Sequence, residues 1–354
     1  FDAVSAAVYP YDKALPLYLL YLIYRALYIL IDGSHISIYA QKYGFYPNSG
    51  RRARFGIPAH FFFGATVILL YNIYMRLTRG KKAAVGLLIV IFVLGAGLVS
   101  AMAVHAAVED RSMGSVFCEY VFRVVLTRND FRSEEGTLKL IEKARENNED
   151  YKVPQIYKTV FNFDIQTVSG YEVCFFGEDS GTLIYYLHGG SFIYQPTPFH
   201  YIYAKKLAKE LNAKVALPVY PKAPNYSYEY ILDSVYCIYS ELTGGAGYQN
   251  IVVMGDSAGA TLTLTLGQYI AEHGGIMPND LISICPVVDM TLTNPEIDKL
   301  QKYDPMLNAK DLKLQLNAYS GGNPTKEDYK LNPIYCDFSV MPEVTVFAGG
   351  YDIL

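Results

Sequence analysis

From Ala83 to Val104 the chain runs for 22 residues without a charged side chain. At about 1.5 Å per residue, a helix of that length crosses a hydrocarbon core about 30 Å thick. Backbone in lipid must satisfy its own N–H and C=O groups, so the run predicts a membrane-spanning helix. Two further apolar stretches precede it. Residues 55–75 have His60 and Asn72 as their polar points, and residues 14–31 carry Arg25 near the middle. A mid-span arginine costs roughly 2.5–3.5 kcal/mol, so Arg25 is expected to pair inside a bundle or reach the interface. Three separate segments do not form the pattern of a cleaved leader.

Charge divides the chain at the same place. Residues 1–108 hold 10 Lys/Arg against 3 Asp/Glu, and the remainder hold 20 against 31, within a net charge of −4. A basic apolar front and an acidic back predict an integral membrane region over 1–108, with membrane lipid as its partner. A linker with amphipathic helices follows over 109–150, then a soluble domain over 151–354. The acidic back argues against a nucleic-acid partner. RRAR (51–54) and RLTRGKK (76–82) lie at opposite ends of one predicted span, so the positive-inside rule does not decide which side holds the soluble domain. The five cysteines, at 118, 174, 237, 285 and 336, form no CxxC pair. They read as reduced thiols, with no metal site and no cofactor expected. The chain opens at Phe1 and stops at AGGYDIL, and it reads as a fragment cut at both ends.

The back half alternates strand and helix patterns. SEEGTLKLIEKARENNED (133–150) has helical apolar spacing, and strands are expected over 163–168, 171–176 and 182–187. A helix near 198–211, a strand over 214–220, a helix near 227–243 and a strand over 250–255 follow. TLTLTL (261–266) alternates like a strand, but Leu262 and Leu266 share a helical face behind a turn of small residues, which favours a buried helix. LISICPV (281–287) and EVTVFAGG (343–350) complete the strands, with a helix over 311–320 between them. Such alternation implies an α/β domain with a mostly parallel sheet.

Two glycine motifs carry the chemistry. GDSAG (255–259) lies between a strand and a helix, the context a nucleophile elbow requires. Gly255 and Gly259 permit the tight turn, Asp256 occupies its variable position, and Ser257 is thrust out at the carboxyl edge of the sheet. HGGS (188–191) ends an earlier strand. The N–H groups of Gly189, Gly190 and Ser191, with that of Ala258, can form an oxyanion hole, and His188 braces the loop.

HGGSF, YPKAPNYSYEYILDS (220–234), GDSAGA, CPVVDM (285–290) and GGYDIL together resemble the hormone-sensitive lipase family of α/β-hydrolases over about residues 150–354. The resemblance implies an α/β-hydrolase fold and a serine esterase or lipase whose triad runs Ser, Asp, His along the chain. Asp352 is then the acid, and a small-molecule or lipid ester the substrate. Two positions depart from the pattern. Ser191 stands where the family usually has a third glycine, and Ala260 replaces another. The family's histidine lies beyond the acid, and the six histidines here (35, 60, 105, 188, 200 and 273) all precede it, so the base is expected beyond Leu354. A non-catalytic ligand binder and an acyltransferase are the alternatives on this fold.

Overall fold

The computed structural model describes residues 78–125, 133–245 and 247–354. The predicted spans at 14–31 and 55–75 lie outside the described residues. The chain divides into two compact units, Phe1–Phe92 and Val93–Leu354. The uncharged run lies within one 30-residue helix, α1 (Arg79–Val108). Within it Val90–Val108 is long and apolar enough to cross a membrane. Helix α2 (Met113–Val125) follows, and Met102 and Ala106 of α1 pack on its Val116. Helix α3 (Glu134–Asn148) begins at Ser133, whose hydroxyl accepts the Gly136 N–H. This side-chain cap satisfies one of the orphan donors of the first turn.

The domain that follows is built on a seven-stranded sheet. A short helix, α4 (Gln155–Phe161), leads into β1 (Asp164–Val168) and β2 (Tyr171–Phe176). Then come β3 (Thr182–Leu187), α5 (Pro198–Leu211), β4 (Lys214–Pro218) and α6 (Tyr228–Thr243). β5 (Asn250–Asp256), α7 (Ala258–His273) and β6 (Asp280–Ile284) form the centre. A one-turn helix, α8 (Ile297–Leu300), then α9 (Ala309–Tyr319) and β7 (Glu343–Phe347), complete the series. The strand order is β1-β2-β4-β3-β5-β6-β7, antiparallel at β1, β2 and β4 and parallel from β4 through β3 to β7.

Alternation along the strands sorts the core into two layers. Leu183, Tyr185 and Leu187 of β3 join a cluster with Ile231 and Val235 of α6 and Leu262 and Leu266 of α7. Ile184 and Tyr186 face the other way, onto Tyr201, Ala204 and Ala208 of α5. Side chains of period two on a sheet covered by helices on both faces give this result.

Three strands end sooner than expected, among them the strand expected over 343–350, which stops at Phe347. The strand expected over 281–287 ends at Ile284, because Cys285 turns to φ +51° and leaves the β region. The strand expected over 214–220 ends at Pro218. TLTLTL is helical, and its threonines show how. Thr263 Oγ1 donates to Gly259 O at 2.9 Å, Thr265 Oγ1 to Leu262 O at 3.2 Å, and Thr261 Oγ1 to Val287 O at 2.8 Å. Buried hydroxyls that find carbonyls remove the penalty that would otherwise bar them from a core helix. The short helices α4 and α8 carried too little periodicity to be expected.

Candidate active site

β5 passes into α7 through one residue, Ser257, which sits at φ +50° and ψ −119°. A side chain rarely adopts that region, and strain of this kind needs surrounding structure to hold it. The flanking glycines provide it. A Cβ on Gly255 would lie 2.3 Å from Gly259 O, and one on Gly259 would lie 1.9 Å from Leu187 O. The start of α7 therefore packs onto the end of β3 closer than any side chain permits. The Ser257 N–H donates to Ile284 O at 2.8 Å, which ties the turn to the end of β6. Ala258 heads α7, where an N–H has no intrahelical acceptor and the helix dipole is positive.

β3 ends at Leu187, and the next residue, His188, is fully buried. Its Nδ1 lies 2.6 Å from Gly189 O, so Nδ1–H donates there and Nε2 is left without a partner. Tyr220 stacks on the imidazole at 4.6 Å and donates its hydroxyl to His188 O at 2.6 Å. Burial, then the nearby Lys222 and His200, hold the His188 pKa well below its ordinary value, so it is neutral. It braces the loop.

The loop itself is strained. Gly190, Ser191 and Phe192 take φ values of +126°, +52° and +62°. Phe192 is fixed there by stacking on Tyr319 at 3.6 Å between centroids, and the Ile193 and Tyr194 N–H groups close back on Gly190 O. The N–H groups of Gly190 and Ser191 have no partner among the described residues. Gly189 corrects the expectation. Its N–H donates to Asp256 Oδ1 at 3.1 Å, so it is not free to serve an oxyanion. The carboxylate at the variable position of the elbow has claimed that donor.

Asp352 lies just past β7 and accepts the Leu354 N–H at 3.0 Å. The Cys285 thiol lies beside it. Burial first, then Asp352, push that thiol up to about 11, so it stays protonated at neutral pH. Cys285 in turn donates its N–H to Phe347 O at 2.7 Å. Ser257, Cys285 and Asp352 thus follow the carboxyl ends of three adjacent strands, β5, β6 and β7, and the glycine loop follows β3 on the other side of β5.

The four described histidines engage other groups. His105 meets Glu109 at 3.1 Å, and His273 Nδ1 donates to Tyr269 O at 3.0 Å. His200 accepts the Thr197 N–H and faces Asp256, and His188 is committed to its loop. The His200–Asp256 contact was missed in the sequence. Its signal was Thr197 three residues before His200 with Pro198 between, the spacing of a helix cap. A cavity of about 360 Å³ opens beside the loop, lined by Asn148, Tyr151, Tyr194 and Gln195. Another of about 340 Å³, between Arg123, Met306 and Asp311, contains none of the motif residues.

The family model described as an alpha/beta hydrolase fold matches residues 184–354. A crystal structure of a Staphylococcus aureus protein, described provisionally as an esterase, superposes with a TM-score of 0.56 at 29% identity, covering 62% of this chain and 75% of that one. The domain has the α/β-hydrolase fold. Among curated proteins, an esterase of Acinetobacter venetianus is 30% identical over 173 residues, 49% of this chain and 57% of its own. Hormone-sensitive lipase of Mus musculus is 29% identical over 148 residues, 40% of this chain and 19% of its own. The chain spans about half the length, or less, of the curated relatives it matches first. The family-model match includes both glycine motifs and Asp352.

Proposed function

We propose that this protein is a membrane-anchored serine esterase or lipase. It hydrolyses carboxylic esters, lipid esters among them, through an acyl-enzyme on Ser257. The observation that carries the reading is Ser257 itself: a strained residue at positive φ between a central strand and a buried helix, flanked by Gly255 and Gly259, which pack closely on the end of β3. Ser257 Oγ attacks the ester carbonyl, and the N–H groups of Gly190, Ser191 and Ala258 hold the oxygen as it gains charge. Collapse of the tetrahedral adduct expels the alcohol, and water then releases the acid. Asp352 orients the histidine that acts as base. That base is none of His105, His188, His200 or His273, each of which is engaged elsewhere. Similarity to named esterases and lipases supports the substrate class. The apolar helix α1 supports the anchor.

A fluorophosphonate probe on the full-length protein should label Ser257 and no other serine. Labelling that persists in Ser257→Ala would remove the basis of the proposal.

A further inference from the structure

We infer that His200 and Tyr186 are positioning residues, which act through Asp256 to hold the oxyanion loop against the nucleophile elbow. The inference rests on the esterase reading above and adds to it the device that sets the oxyanion donors in place. Asp256 is the last residue of β5, next to Ser257, and its carboxylate reaches across to the end of β3. Oδ1 accepts the Tyr186 hydroxyl at 2.7 Å and the Gly189 N–H at 3.1 Å. Oδ2 lies 3.4 Å from His200 Nε2. The fit leaves no slack, because a Cβ on Gly189 would come within 2.4 Å of Oδ2.

The tautomer of His200 follows from its other nitrogen. Nδ1 lies 2.8 Å from the Thr197 N, and a backbone N–H can only donate, so Nδ1 is unprotonated. The ring proton therefore sits on Nε2, the nitrogen that lies 3.4 Å from Asp256 Oδ2. Thr197 caps α5, so the same imidazole fixes both the helix start and the carboxylate. Gly189 and His200, the two ends of the loop that includes Gly190 and Ser191, thus meet on one carboxylate. Two donors bond Oδ1, and His200 Nε2 lies 3.4 Å from Oδ2, an oxygen that can only accept. Gly190 and Ser191 come directly after the clamped Gly189, so movement of the clamp moves the oxyanion donors. Displacement of about 1 Å at such a site costs on the order of 100-fold in rate.

An asparagine at 256 has only one acceptor. With its oxygen toward Gly189 and Tyr186, its NH₂ confronts the Nε2–H of His200. With its oxygen toward His200, the NH₂ confronts two donors. This frustration gives the test, made on the full-length protein with a short-chain aryl ester. Asp256→Asn should lower kcat about 10- to 100-fold with KM changed less than about threefold. Affinity for a trifluoromethyl ketone, which forms a tetrahedral oxyanion on the serine, should fall in parallel with kcat. His200→Gln offers either a donor or an acceptor. It should cost little alone and should recover at least about fivefold of kcat when combined with Asp256→Asn. Unchanged kcat in Asp256→Asn, or a double variant no faster than Asp256→Asn alone, overturns the inference. If Asp256→Asn does not fold, Tyr186→Phe decides. It removes one donor from Oδ1 and should lower kcat about 3- to 10-fold at constant KM, and an unchanged kcat overturns the inference. Ser257→Ala separates the two readings. If it is inactive while Asp256→Asn keeps full kcat, only the positioning role fails. If it keeps full activity, the esterase reading itself fails.

Discussion

Two buried bases near the glycine loop make the domain's stability depend on pH in opposite parts of the scale. His188 has a folded-state pKa well below its ordinary 6.5, through burial first and then Lys222 and His200. As pH falls below about 6.5 the unfolded chain takes up a proton that the folded chain refuses. Stability is therefore full above that value and declines toward the lower folded pKa, with a slope approaching about 1.4 kcal/mol per pH unit. Urea midpoints measured from pH 7.5 to 5 should show this decline, and His188→Asn should flatten it. Lys222 is the second case. Its amine is fully buried, lies over the Tyr220 ring at 3.4 Å and, among the described residues, donates only to Tyr220 O. Burial lowers its pKa well below 10.5, so folding carries a desolvation cost for the protonated amine. That cost shrinks as pH rises toward 10.5. Lys222→Met should thus raise stability at pH 7 by about 1–3 kcal/mol, and the gain should narrow by pH 10. A variant less stable than the parent at pH 7 would show that the amine's bond to Tyr220 outweighs its desolvation.

At the scale of elements, the elbow depends on the absence of two side chains. Gly259→Ala would drive a methyl group to 1.9 Å from Leu187 O and 2.8 Å from His188 O. Both contacts are backbone, so relief requires parting α7 from β3. The expected cost is about 3 kcal/mol or more, with loss of probe labelling at Ser257. Gly267→Ala, eight residues along the same helix, meets Leu281 Cδ1 at 2.6 Å. That is the far end of a flexible side chain, so the expected loss is small and labelling should persist. Equal unfolding midpoints for the two variants would contradict the packing argument. The same elements show what the sequence made legible. Strand periodicity, GDSAG and HGGS led to β3, β5, α7 and the carboxyl edge of the sheet, because period and glycine spacing are local properties. The Gly189–Asp256–His200 contact was not legible, because it joins three segments and the middle position of G-x-S-x-G says nothing about what its side chain reaches. The end of β6 was missed for a related reason. Cys285, Pro286 and Val287 continue an apolar run, and only the backbone at φ +51° shows that the strand has stopped.

At the scale of the molecule, apolar surface and charge are segregated in a way an aqueous surface does not favour. Val93, Leu94, Leu98, Val99, Val104 and Val108 of α1 are exposed, and Met113, Phe117 and Val121 form an exposed stripe at four-residue intervals on α2. Large contiguous apolar patches of this kind mark contact with lipid or protein. Charges gather elsewhere on the pair. Arg111 bridges Glu109 and Glu119 at 2.6 and 2.7 Å, and Arg123 bonds Glu119 and the carbonyl of Tyr303. The second bond of Arg123 fastens α2 to the segment between α8 and α9 and leaves the stripe outward. An α1 that spans, followed by an α2 that lies with its stripe in the interface, satisfies both distributions. In bilayer vesicles, a photoreactive probe confined to lipid should label peptides from Val90–Val108 and from Met113–Val121, and should spare α6 and α7, whose core faces are buried. The protein should also remain in the membrane pellet after alkaline carbonate washing. Label on neither peptide, in a protein that still sediments with membranes, would mean that other protein covers this face and that lipid contact lies elsewhere in the chain.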